Sequence, residues 1–122
     1  MSFLSGWLLD AESNTFQVVE SLLDYKEILR TLKCKDATCE KFLVNEGMFC
    51  VWFNNDLLAQ SLYNEAAQSI LGRIQFPWKT FHGNFLVTYM VKLNLDEDSK
   101  IPHRMPDISI SQFVDACNQT TK

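Results

Sequence analysis

The chain has 122 residues and a mass of 14.1 kDa, the size of one domain, which leaves little room for a catalytic domain with a separate regulatory one. Its 47% hydrophobic and 21% charged residues give a globular profile and exclude a chain that stays unfolded in water. A net charge of −4 and a pI near 5.0 are opposite to the basic footprint of a general nucleic-acid binder, and four glycines are too few for a glycine-rich phosphate loop.

The opening decapeptide is apolar but lacks a basic start, a long hydrophobic stretch and a small-residue cleavage site, so it does not read as a secretory signal. No window approaches the roughly 18 apolar residues of a membrane helix. The expectation is a soluble cytoplasmic protein whose Cys34, Cys39, Cys50 and Cys117 are free, partly buried thiols.

Residues 7–9 and 15–20 read as short strands around the polar loop 10–14. Ser21 and Asp24 have capping-box spacing, and Leu22, Tyr25, Leu29 and Leu32 then recur at helical intervals, which predicts a helix ending near Cys34. The apolar runs 40–44 and 48–53 flank Asn45-Glu46-Gly47, where glycine supplies the positive φ of a tight turn, and so predict a hairpin. In the second run Met48, Cys50 and Trp52 share one face and Phe49, Val51 and Phe53 the other. Such a strand is covered on both sides, with Trp52 in the core between sheet and helix.

Asn55 is the expected cap of a helix over 56–71, with Leu58, Leu62, Ala66 and Ile70 on its apolar stripe and Gly72 as its stop. Ile74, Phe76 and Trp78 alternate with polar residues around Pro77, the pattern of an edge strand. His82-Gly83-Asn84 turns into the longest strand pattern, 85–95, with Phe85, Val87, Tyr89 and Val91 opposite Leu86, Thr88, Met90 and Lys92. The acidic run 96–98 opens a loop held by Pro102 and Pro106, Ser111 caps a short closing helix through Phe113, Val114 and Cys117, and residues 119–122 are expected to fray. With no repeat or linker, residues 1–122 form one α+β domain, a mostly antiparallel sheet of hairpins with two main helices and a short C-terminal helix.

No catalytic motif is present. The cysteine spacings do not form paired short knuckles, so a metal would have to gather Cys34, Cys39 and Cys50 with His82 or His103, and no metal, no cofactor and no catalytic residue is assigned. A nucleophilic cysteine has only those two histidines as a base, and neither stands in a motif. Asp96, Glu97 and Asp98 are successive loop residues that point in different directions, which suits a solvated loop better than acid–base work.

Charge distribution is more informative. Segment 73–95 has three basic and no acidic residues, placing Arg73, Lys79 and Lys92 among Phe76, Trp78, Phe81, His82, Phe85 and Tyr89, the mixture of a stacking surface for single strands; an ordinary amphipathic hairpin gives the same composition. Arg73, Gln75, Lys79 and Lys92, with Asp96, Glu97 and Asp98, form the expected interaction surface, a guarded sheet edge beside acidic loops.

The order of Gly-Trp-Leu-Leu-Asp10, a polar turn, Thr-Phe-Gln-Val-Val-Glu20, a helix through Tyr25-Lys-Glu-Ile-Leu29, the hairpin around Asn45-Glu46-Gly47 and Gly83-Asn84-Phe-Leu-Val87 resembles a family of small uncharacterised proteins of tailed phages, plasmids and large DNA viruses. The resemblance spans residues 3–102, implies a viral or mobile-element origin and host-cytoplasm location, and carries over no catalytic residue; the helical reading of 55–71 departs from the family, which looks loop-like there. The combined expectation is a non-enzymatic protein-interaction module, an accessory protein that binds and modulates a host protein, with a homodimer also compatible with the edge. The alternatives are a small-ligand or nucleotide-processing domain, and single-stranded nucleic-acid binding through 73–95. A closed apolar pocket with convergent polar groups favours the ligand-processing reading, and an exposed apolar or acidic surface without a pocket favours the module.

Overall fold

The computed structural model describes residues 5–20, 24–44, 47–54, 62–74, 80–92 and 100–119. The chain opens with the hairpin β1 (Ser5–Asp10) and β2 (Thr15–Glu20), whose turn is closed by the Asp10 carboxylate accepting from the Glu12 N–H and by Asn14 at φ 53. Helix α1 (Tyr25–Leu32) is capped by Asp24, which accepts from the Glu27 N–H, rather than by Ser21, which lies outside the described residues. Lys33 ends the helix in the left-handed region at φ 59, its N–H and that of Cys34 returning to the carbonyls of Arg30 and Leu29. Ile28 and Leu32 are its buried residues, whereas Tyr25, expected on the apolar stripe, is exposed and bonds through its hydroxyl to Asp36 and Ala37.

β3 (Ala37–Val44) and β4 (Gly47–Asn54) pair antiparallel along their full length, as the two apolar runs predict. Gly47, however, does not have a positive φ. It is glycine because β4 crosses β5 so closely there that a Cβ would overlap the Met90 carbonyl oxygen and the Tyr89 ring.

Helix α2 (Glu65–Leu71) is shorter than the expected 56–71, because Tyr63 forms a bridge with His82 and the cap is Asn64, whose carboxamide oxygen accepts from the Ala67 N–H. The expected cap Asn55 and stripe residue Leu58 lie outside the described residues, Leu62 is exposed, and the buried face is Ala67, Ile70 and Leu71. Gly72 is the stop, as expected. Ile74 is not in a strand but in the turn after α2, its N–H on the Leu71 carbonyl; residues 75–79 of the expected edge strand are outside the described set.

β5 (Phe85–Lys92) is the central strand, and residues 93–95 of its predicted extension are not described. A sixth strand, β6 (Lys100–His103), stands where a loop was expected, and Pro102 is accommodated because β6 pairs on one side only among the described residues. Helix α3 (Ile110–Gln119) is capped by Ser109, not Ser111: the Ser109 hydroxyl accepts from the Gln112 N–H while the Gln112 carboxamide accepts from the Ser109 N–H, a complete capping box. Gln119, expected to fray, is the last residue of α3.

The strands form one antiparallel sheet in the order β2-β1-β5-β4-β3. β5 shares one edge between two strands, its first half pairing with β1 at Phe85, Leu86 and Val87 and its second half with β6 from Tyr89 to Lys92. Helices cover both faces. Ile28 and Leu32 of α1 pack on Met48, Cys50, Leu86 and Met90, with Trp52 at the margin, while α2 and α3 bury Phe49, Val51, Phe53, Phe85 and Val87 on the opposite face. The two-sided reading of β4 therefore holds, with one correction: Trp52 is only half-buried, its ring 6.1 Å from Tyr25 and its indole N–H donating to the buried Thr88 hydroxyl at 2.8 Å. The protein is a single α+β domain.

Candidate functional site

The strongest site geometry lies beside β2, the outermost strand at one end of the sheet among the described residues. The register sets Ser5, Trp7 and Leu9 opposite Glu20, Val18 and Phe16, so the pleat puts these side chains on the α2–α3 face. Trp7 anchors the floor, with its ring 5.1 Å from Phe16 and 5.3 Å edge-on from Phe113 of α3. The facing wall is the connection from β6 into α3. It is held by the Met105 N–H donating to the Ser5 hydroxyl at 2.8 Å, by the Ile108 N–H on the Pro106 carbonyl, and by the capping box at Ser109.

Between strand and wall runs a groove of about 600 Å³, open to solvent and including Trp7, Phe16, Val18 and Ile108 as apolar lining. Its charged groups, Glu20, Arg104 and Asp107, are all exposed. Val18 is 61% exposed, an unusual position for a large β-branched side chain in a sheet. Among the described residues, the groove's two serine hydroxyls are both committed to backbone N–H groups, Ser5 to Met105 and Ser109 to Gln112, and no histidine lines it, so these residues lack a nucleophile–base pair. The arrangement suits binding: an apolar floor for side chains, charges of both signs at the rim, and a strand edge alongside.

Of the residues expected to form an interaction surface, only Arg73 and Lys92 are among the described residues. Arg73 is exposed just after α2, with its carbonyl accepting from the Asn118 carboxamide of α3. Lys92 ends β5 in a different part of the sheet, and Gln75, Lys79, Asp96, Glu97 and Asp98 lie outside the described residues. Of the aromatic residues in the basic segment, Phe81 and Phe85 are fully buried core side chains and offer no face for base stacking. Sequence reasoning placed β2 correctly but missed the groove, because Phe16 and Val18 look like any strand face until the wall at 104–110, far away in sequence, is set against it.

The cysteines divide into two groups, and among the described residues none is in a disulfide. Cys117 lies in the core under α3, where burial pushes its thiol up to about 12. Cys34, Cys39 and Cys50 share the α1 face, as the metal alternative required, but His82 sits against Tyr63 and His103 against Tyr89, and no group of three or more metal-ligating side chains occurs among the described residues. No helix of the described structure is long and apolar enough to cross a membrane. No protein-family model matches the chain, and no curated protein or solved structure matches it either.

Proposed function

We propose that the protein is a non-enzymatic interaction module that takes an extended segment of a partner protein along the outer edge of β2. The observation that carries this reading is the coincidence of an outermost strand with an open groove beside it, lined by Trp7, Phe16 and the 61%-exposed Val18. An added strand gains main-chain hydrogen bonds from the edge, and every second side chain enters the groove, which supplies specificity. Arg104, Glu20 and Asp107 select charges at the rim. An open groove without a nucleophile–base pair supports a binding module over a ligand-processing domain. The sequence's resemblance in element order to small phage, plasmid and viral proteins is what points to a host protein as the partner.

The test is selection from a displayed library of extended peptides, followed by titration of the selected peptides against the wild type and Val18→Lys. Binders with alternating apolar residues are expected, together with an affinity loss of about tenfold or more in Val18→Lys at an unchanged melting temperature. Peptides that bind equally well to both proteins overturn the site. Micromolar affinity for single-stranded DNA or RNA at physiological salt overturns the module reading in favour of nucleic acid.

A further inference from the structure

We infer that Cys39 and Cys50 form a reversible oxidation site, a dithiol that a hydroperoxide converts into a disulfide across the β3–β4 hairpin. The register pairs Cys39 with Trp52 and Lys41 with Cys50, so the two cysteines are diagonal neighbours on the same face of adjacent strands. Both pack in the layer beneath α1, and their thiols are hydrogen-bonded to one another. Cys50 is 2% exposed and has a second hydrogen bond, to the buried Thr88 hydroxyl, whereas Cys39 is half-buried and within reach of a small oxidant. Diagonal neighbours stand about 7–8 Å apart, slightly beyond the span of a relaxed disulfide, so closing the bond takes side-chain rotation together with a tightening of the twisted hairpin.

The pair is also chemically asymmetric. The hydrogen bond from Cys50 lowers the Cys39 thiol, the Lys41 ammonium lowers it further, and burial and Glu40 oppose them. The same hydrogen bond, together with burial, raises Cys50. Cys39 is thus the nucleophile and Cys50 the resolving thiol. The Cys39 thiolate attacks one peroxide oxygen, the O–O bond breaks, and the departing hydroxide or alkoxide takes up a proton, leaving a sulfenic acid on Cys39. The Cys50 sulfur then attacks Cys39 Sγ, the S–O bond breaks, and the hydroxyl leaves as water with the Cys50 proton. Two thiols lose two electrons and one hydroperoxide is reduced, to two waters when it is hydrogen peroxide; an external dithiol reverses the bond by exchange. Cys34, on the same face, is a poorer nucleophile because burial raises its thiol.

The full reduced chain is treated with hydrogen peroxide, digested without reductant and mapped by mass spectrometry. The expected product is an intrachain peptide pair joining Cys39 to Cys50, lighter by two hydrogens and restored by dithiothreitol. In Cys50→Ser, Cys39 is expected to stop at the sulfenic acid and to be trapped by dimedone about tenfold more than Cys34. A Cys34–Cys39 link, a disulfide only between chains, or no linked pair at peroxide doses that oxidise an unstructured thiol peptide overturns the inference. The wild-type map needs no variant to fold.

Discussion

Asn64 is fully buried, and its carboxamide joins three parts of the chain. Its Nδ2 donates to the carbonyls of Leu9 in β1 at 2.8 Å and of Gly83 at 2.7 Å, its Oδ1 accepts from the Ala67 N–H at the start of α2, and its own backbone N–H donates to the Phe81 carbonyl. Removing the carboxamide strands two carbonyls and one amide in the interior and deletes a helix cap, so Asn64→Ala is expected to lower unfolding free energy by about 3 kcal/mol in urea titration. Asn64→Asp keeps the capping oxygen but turns a carboxylate toward two carbonyls, and is expected to be destabilised as well. A wild-type midpoint in either variant contradicts this role. Local pattern in the sequence put the cap at Asn55, nine residues too early. The choice of Asn64 came from the carbonyls of Leu9 and Gly83, whose positions only the folded sheet fixes.

At the scale of elements, the β3–β4 hairpin follows directly from two apolar runs around a glycine. The reason for that glycine was not local. Gly47 pairs with both Val44 and Val91, and the approach of β5 leaves no space for a Cβ against Met90 and Tyr89. Gly47→Ala is therefore expected to destabilise by about 1–3 kcal/mol, an overpacking cost read from the denaturation midpoint, where a pure turn role at negative φ predicts a neutral or stabilising change. β6 was hidden for a related reason. Two prolines at 102 and 106 read as loop residues, yet an edge strand with one paired side tolerates Pro102, and the vacated second half of β5 provides the partner.

At the scale of the whole molecule, two packed layers share one sheet. Alternate residues of β4 and β5 belong to opposite layers, so neither core survives without the strands of the other. Phe113→Ala in the α2–α3 layer and Leu32→Ala in the α1 layer are expected to cost about 4 and about 3 kcal/mol respectively and to shift one common transition. Trp7 and Trp52 report on opposite faces, so variants retaining one or the other check this by fluorescence. Coincident unfolding curves are the expected result, and separate midpoints overturn the shared-sheet account. The proposed edge also belongs to this scale, because β2 is outermost only through the strand order of the assembled sheet.

The sequence by itself determined the α+β class, the two opening hairpins, the two-sided character of β4 and the alternation along β5, because period-two and helical spacing are properties of neighbouring residues. Local pattern also located α1 and the end of α2 at Gly72. Tertiary structure decided where α2 begins, why residue 47 is glycine, that 100–103 is a strand, and that Trp7, Phe16 and Val18 face the 104–110 segment across a groove. Each of these depends on backbone groups or side chains distant in sequence, whose approach is set by strand order and register and leaves no mark on a local window of residues.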